Sequence, residues 1–340
     1  MLDFSCDYRN GACQPVLDAL IKTNGETTAT YGFDVYSKRA EEKIKAACKA
    51  PDAEVFLIAG GTQTNMTVIS SCLLSYEGVL SAETGHINCH ESGAVEHAGY
   101  KVLALPHHEG KICARELMAY MCGFENNPSR DHMVFPAMVY ISFPTEYGTI
   151  YSKSELLEIR KVCDEYKLKL FLDGARLGYG LCCDECDIDL PFIAQICDVF
   201  YIGGTKVGAL CGEAVVFPKK APAHFITMIK QRGAMLAKSR ILGVQFDALF
   251  SDGVYFKIAK NGANRAKQLK KAFADKGYEF FINSPTNQQF IILDNKKLEE
   301  LQTKVGFEVW EPYGEDKTVV RFATSWSTTE EDIKELQKLI

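Results

Sequence analysis

The sequence predicts an α/β protein: a mostly parallel, helix-covered sheet followed by a smaller C-terminal α+β unit. Three observations predict it. Short apolar runs recur between residues 54 and 217, and helix-like segments separate most of them. Past residue 250 the rhythm changes to closely spaced alternating strands. The 340 residues also exceed what one hydrophobic core usually organises. The expected division is a large unit over residues 1–250, with the N-terminal segment, and a small unit over 251–340.

Taken in order, Glu54–Ala59 (EVFLIA) reads as a buried strand, the glycine turn Gly60–Gly61 follows, and Thr64–Ser75 reads as a helix. Lys101–Pro106 and Ala137–Ser142 (AMVYIS) are further strands. Ser152–Tyr166 is a helix with a capping box, Ser152 and Glu155. Lys169–Leu172, Val199–Ile202 and Glu213–Phe217 continue the series. The last follows so soon that it should run antiparallel. Asp252–Lys276 reads as a long polar helix. Strands at Tyr278–Ile282, Gln288–Leu293, Gly306–Trp310 and Thr318–Thr324 come next, then a final helix from Thr328.

Composition narrows the function. The chain is 47% hydrophobic and 24% charged, which excludes disorder and low-complexity arrays. Its net charge of −6 argues against a nucleic-acid surface. Nothing in Met1–Pro15 resembles an export signal, and no apolar run is long enough for a membrane span. Thirteen scattered cysteines do not form a disulfide framework, so a cytoplasmic protein with reduced thiols is expected. Cys182, Cys183 and Cys186 cluster, but a second ligand pair is missing, so no metal is expected.

Five features carry chemistry. Tyr201-Ile-Gly-Gly-Thr-Lys206 ends a strand in two glycines and presents one lysine, either a nucleophilic amine or a solvated turn residue. Phe171-Leu-Asp-Gly-Ala-Arg176 delivers an aspartate at the C-terminal end of a buried strand, where α/β sheets place ligands. Its arginine could grip an anion or simply pair with an acid. Gly60-Gly-Thr-Gln-Thr-Asn65 lies between a strand and a helix and could offer free amides to a phosphate, although taken alone a plain turn explains it better. Arg321 lies inside an apolar strand, where a charge needs a partner; a substrate carboxylate and a structural acid both qualify. His86 is either a stacking ring and base or a structural histidine. Together, the lysine, the strand-borne acid about thirty residues before it, the glycine turn and the late arginine fit pyridoxal phosphate chemistry.

The chain resembles the threonine aldolase branch of the β-eliminating lyases, pyridoxal-phosphate enzymes of the aspartate-aminotransferase fold. The resemblance rests on Tyr31-Gly-Phe-Asp34, Gly61-Thr62, His86-Ile87, Glu91-Ser-Gly-Ala94, Pro144-Thr-Glu146, Asp173-Gly-Ala-Arg176, Gly203-Gly-Thr-Lys206 and Arg321-Phe322. It implies fold type I with a seven-stranded sheet, and cleavage of L-threonine and L-allo-threonine to glycine and an aldehyde. It implies that Lys206 anchors the cofactor, Asp173 binds the pyridine nitrogen, and Gly61 and Thr62 hold the phosphate. His86 would stack on the ring and relay a proton, with His132 near the β-hydroxyl. Arg176 and Arg321 would orient the carboxylate. Tyr31 would lie near the site, and Lys238 would reach a neighbour's phosphate in a homodimer or homotetramer. Cys6 stands where the family usually has a serine before the N-terminal aspartate, Asp7. The competing readings are another pyridoxal-dependent β-lyase or racemase, and a cofactor-dependent binding protein without catalysis.

Overall fold

A computed structural model describes residues 2–340; Met1, which the sequence reading counts in the large unit, lies outside them. The strands in chain order are β1 (Leu2–Asp3), β2 (Glu54–Ile58), β3 (Glu77–Ala82), β4 (Lys101–Leu105), β5 (Phe135–Ser142), β6 (Lys169–Asp173), β7 (Val199–Gly203) and β8 (Glu213–Phe217). They continue with β9 (Glu279–Ile282), β10 (Gln288–Asp294), β11 (Val305–Gly306), β12 (Glu308–Tyr313) and β13 (Lys317–Ala323). Seven of them form one sheet in the order β2-β8-β7-β6-β5-β3-β4. Only β8 runs antiparallel to its neighbours, as its short connection from β7 predicts.

The period-two alternation of the strands builds both faces of this sheet. Met138, Tyr140, Phe171, Val199 and Tyr201 face one apolar cluster. Val139, Ile141, Leu170, Leu172, Phe200 and Ile202 face the other. Asp173 follows Phe171 by two residues and is paired with Ser142, so it lies on the Tyr140 and Tyr201 side. That register brings the two phenols to the aspartate.

The sequence reading missed β3. It carried the preceding helix to Ser75, but that helix spans Gly61–Cys72, and Leu73 is already extended. Gly78 weakens the strand signal, yet β3 needs it: a Cβ there would lie 2.8 Å from the Lys101 carbonyl oxygen and from a Val134 methyl. The same helix also starts earlier than predicted. Gly60 is its N-cap, so Gly61 and Thr62 form its first turn and keep free backbone amides. The capping box at Ser152 is present on the helix Lys153–Tyr166.

The C-terminal part forms a four-stranded antiparallel sheet, β12-β13-β10-β9. Helices Val254–Asp275 and Glu330–Leu339 pack beside it. The predicted single strand Gly306–Trp310 divides into β11 and β12. β11 pairs in parallel with β1, and Leu2 and Phe4 share a buried cluster with Phe273, Phe322 and Leu336. The N-terminal segment therefore crosses from this small core to the large sheet, carrying residues 5–8 between them.

No helix of the described residues is long and apolar enough to cross a membrane. Cys182, Cys183 and Cys186 are free thiols, and burial pushes Cys182 up to about 11 and Cys183 up to about 12. Among the described residues no cluster of His, Cys, Asp and Glu is arranged to hold a metal.

Gly174, directly after β6, locks the two functional strands together. A Cβ at this position would lie 1.9 Å from the Tyr201 carbonyl oxygen. Gly174→Ala is expected to cost about 1–3 kcal/mol, the usual penalty of overpacking. Urea unfolding checks this, and an unshifted midpoint refutes the close approach.

Candidate active site

The C-terminal ends of β5, β6 and β7, the start of β8 and the first turn of the helix Gly61–Cys72 enclose a cavity of about 410 Å³. This is where an open parallel sheet leaves a crevice for ligands. Of the residues proposed from sequence, Lys206, Asp173, Arg176, His86, Gly61 and Thr62 all line it.

Asp173 is buried, and each carboxylate oxygen accepts two hydrogen bonds. One takes the Ala175 amide at 2.9 Å and the Tyr201 hydroxyl. The other takes the Tyr140 hydroxyl at 2.5 Å and Asn65 Nδ2 at 3.0 Å. Burial alone raises this carboxyl, but the nearby His86 and the bonds from Tyr140, Tyr201 and Ala175 outweigh it and hold it below the usual carboxylate range. Burial, reinforced by the Asp173 charge, pushes both phenols well above theirs, so they remain donors.

A second chain of contacts ties His86 to this acid. His86 Nδ1 lies 2.8 Å from Glu91 Oε1, which also accepts from Asn65 Nδ2 at 2.7 Å. Asn65 thus bridges Glu91 and Asp173. The His86 backbone amide donates to Glu146 Oε1 at 3.0 Å, as does the Ser142 hydroxyl at 2.6 Å. Burial raises the Glu146 carboxyl.

Lys206 follows Gly203-Gly-Thr at the end of β7. Burial is the largest influence and lowers the ammonium's affinity for its proton, and Arg176 adds to the effect. Its Nζ lies 5.7 Å from the centre of the Tyr8 ring. A lysine held this way is closer to the neutral, nucleophilic form than a solvated one.

Arg176 lines the cavity with part of its guanidinium already engaged. It is not a free anion clamp, because its Nε and Nη2 bind the two Asp7 oxygens at 2.8 and 3.0 Å. The structural alternative and the functional one coincide: the pair is buried, and the guanidinium still lines the cavity. Burial alone raises the Asp7 carboxyl, but Arg176, Lys206 and the Asn287 amide overcome it and hold Asp7 below its usual value.

Five proposed residues, His132, Tyr31, Lys238, Cys6 and Arg321, lie outside the cavity lining. His132 is exposed in a short 3-10 turn before β5, at the opposite end of that strand from Ser142, and so lies away from this chain's own cavity. Tyr31 stacks under Lys230 Nζ at 4.7 Å on a separate cavity of about 340 Å³. Lys238 is exposed beside another depression. Cys6 is half-buried, and Tyr8 rather than Cys6 meets the cavity. Arg321 is buried behind the lining: Nη1 donates to Gln288 at 3.0 Å, Nη2 reaches the Ser5 carbonyl at 3.3 Å and pairs with Glu308, and Nε has no partner.

The sequence reading assigned no role to Tyr8, Asn65, Tyr140, Glu146, Tyr201 or Glu213, although all but Asn65 and Tyr140 line the cavity. A signal existed for Glu213, an acid opening the apolar strand EAVVF. Tyr140 and Tyr201 look like ordinary core residues in sequence, and only register shows their hydroxyls meeting at Asp173.

Asp7→Asn leaves Arg176 buried without its counter-charge, and a loss of about 3–5 kcal/mol is expected in denaturant unfolding. The depressed Asp7 carboxyl stabilises the fold above its unfolded value, near 3.9, and loses this contribution as pH falls toward the lower folded value. The gap in stability between wild type and variant therefore narrows in acid; a gap independent of pH refutes the assignment.

Comparison with known proteins places the chain in a family. The Beta-eliminating lyase family model matches residues 3–296. The low specificity L-threonine aldolase of Pseudomonas sp. (strain NCIMB 10558) is 31% identical over 338 residues, covering 98% of this chain and 95% of that protein. A solved structure of Leishmania major threonine aldolase superposes with a TM-score of 0.96 at 37% identity, covering 100% and 98% of the two chains. A Thermus thermophilus aspartate aminotransferase shares the fold at 14% identity, with a TM-score of 0.70 and coverage of 99% and 95%. With this match across nearly its full length, a fold type I sheet, and a lysine and an aspartate meeting in one cavity, the chain belongs to the β-eliminating lyase family.

Proposed function

We propose that the protein is a pyridoxal-phosphate-dependent aldehyde-lyase that cleaves L-threonine and L-allo-threonine to glycine and acetaldehyde. The observation that carries the reading is the convergence of Lys206, Asp173 and His86 on one cavity. The similarity to threonine aldolases of Pseudomonas and Leishmania major supports it.

The residues fit the cofactor. Lys206 supplies a buried amine for its covalent anchor. Asp173 offers an ionised carboxylate to the ring nitrogen, and its four donors keep it from taking the proton itself. Gly61 and Thr62 offer helix-start amides to its phosphate. When bound, pyridoxal phosphate draws electrons away from the substrate α-carbon.

The chain's own groups do the rest. His86 is oriented through Nδ1 by Glu91, which leaves Nε2 to accept the β-hydroxyl proton. Loss of that proton lets the Cα–Cβ bond break, the hydroxyl carbon leaving as the aldehyde. Arg176 offers its unengaged Nη1 to the substrate carboxylate. Arg321, with its unpartnered Nε, adds positive charge behind it. Together they set which α-carbon bond stands ready to break. The cavity meets a second one, of about 270 Å³, at His90 and Glu146; there Tyr147 and Trp310 provide room for the β-substituent.

Assembly belongs to the same reading. Tyr31 and Lys238 lie off their own cavity, and Tyr31, Phe33 and Val35 are exposed apolar side chains at alternate positions. A homodimer or homotetramer brings such residues to a neighbour's site. Thirteen free thiols suit a cytoplasmic location.

Purified protein given L-threonine, with alcohol dehydrogenase and NADH as the coupled assay, is expected to release acetaldehyde. Pyruvate or a D-amino acid as the product instead favours the β-lyase or racemase. Lys206→Ala is expected to abolish turnover and the visible absorbance of the bound cofactor; persistence of that absorbance reassigns the lysine. Arg321→Ala is expected to lower kcat/KM about ten- to hundredfold, chiefly through KM, the worth of a charge-assisted contact. An unchanged kcat/KM places carboxylate recognition elsewhere.

A further inference from the structure

Glu213 is the buried acid of the cavity that the mechanism above does not use. It is the first residue of β8, the strand that runs antiparallel between β2 and β7. The ladder places it opposite Ile58, just before the Gly60-Gly61-Thr62 turn, and opposite Gly203, just before Lys206. It is 3% exposed and lines the cavity. Its Oε2 accepts the Gly204 amide at 3.1 Å. A bare carboxylate so close to a phosphate cradle would repel the dianion that the helix start is built to attract.

Resting on the reading of this cavity as the pyridoxal phosphate site, we infer that Glu213 is a cofactor-binding residue that stays protonated beside the Gly60–Thr62 cradle and donates its O–H to the cofactor phosphate. Burial supports this by lifting its carboxyl to about 8; Thr205, Lys206 and the Gly204 amide pull the other way. The charged and titratable groups facing it are Lys206 and Tyr201 from β7 and its exit, Asp173 from β6 and Tyr255 from the long helix. Ile58 and the first turn of the facing helix add none. Removing the proton above the carboxyl's titration replaces a donor with a like charge, so phosphate affinity falls as pH rises. Lys206 titration biases anchoring in the opposite direction, so a control without phosphate is needed.

The test is cofactor affinity, read from absorbance of resolved wild-type and Glu213→Gln protein titrated with pyridoxal 5′-phosphate and, separately, with pyridoxal. Glutamine keeps a donor and cannot ionise. Between about pH 7 and about pH 9, wild type is expected to lose roughly tenfold more affinity for the phosphate ester than Glu213→Gln does, while the two proteins respond alike to pyridoxal. Equal responses of wild type and variant to the ester overturn the inference. A wild-type-specific response to pyridoxal as well overturns it too, because Glu213 then acts on Lys206. So does loss of cofactor from Glu213→Gln at neutral pH, which would require a charged carboxylate. If that variant does not fold, the ³¹P resonance of the wild-type holoenzyme decides: a shift with its midpoint near 8 is expected, and a flat response overturns the assignment. A wild-type protein that binds neither compound refutes the cofactor reading itself, which separates the two failures.

Discussion

The site depends on keeping one carboxylate ionised where burial opposes it. Asp173 sits at the end of a central strand with almost no access to water. Burial of a lone carboxylate favours its neutral form. Four donors reverse that outcome, and three of them are fixed by the sheet and the turn after it. The two phenols follow from strand register, and the Ala175 amide from the Gly174 turn packed against β7. The fourth, Asn65, comes from the helix whose first turn lines the same cavity. Fold and electrostatics are thus one arrangement: a slip of register would remove the donors and neutralise the acid.

The network extends beyond the aspartate. Asn65 and Glu91 join Asp173 to His86, so the two side chains share one hydrogen-bonded chain. A change at Asn65 would disturb both ends. On the other side, the buried Asp7–Arg176 pair draws the N-terminal segment into the cavity wall, and Asn287 from the small unit completes it. Three distant parts of the chain meet there. Removing one partner of such a pair costs far more than the pair contributes, which makes this contact a fastening between the two cores.

What was legible in sequence had a local origin. Apolar runs gave six of the seven strands of the large sheet, the quick return from β7 gave the antiparallel direction of β8, and Ser152 with Glu155 marked a helix start. Lys206, Asp173, His86, Gly61 and Thr62 stood in recognisable patterns, and the structure brings all five to one cavity. β3 escaped because Gly78 breaks the pattern for a reason visible only across strands, the close approach of Lys101 and Val134. His132 was named by family resemblance alone, and the fold puts it at the end of β5 away from this cavity.

By itself, the sequence determined the α/β architecture, the lysine and aspartate at strand ends, and the glycine-started helix, since each is written in periodicity or in neighbouring residues. Only the tertiary structure decided that Tyr140 and Tyr201 keep Asp173 charged, that Asp7 occupies Arg176, and that Glu213 lines the same cavity as Gly60–Thr62. Those outcomes depend on register between strands and on water excluded by distant segments, and neither quantity is encoded in any one stretch of the chain.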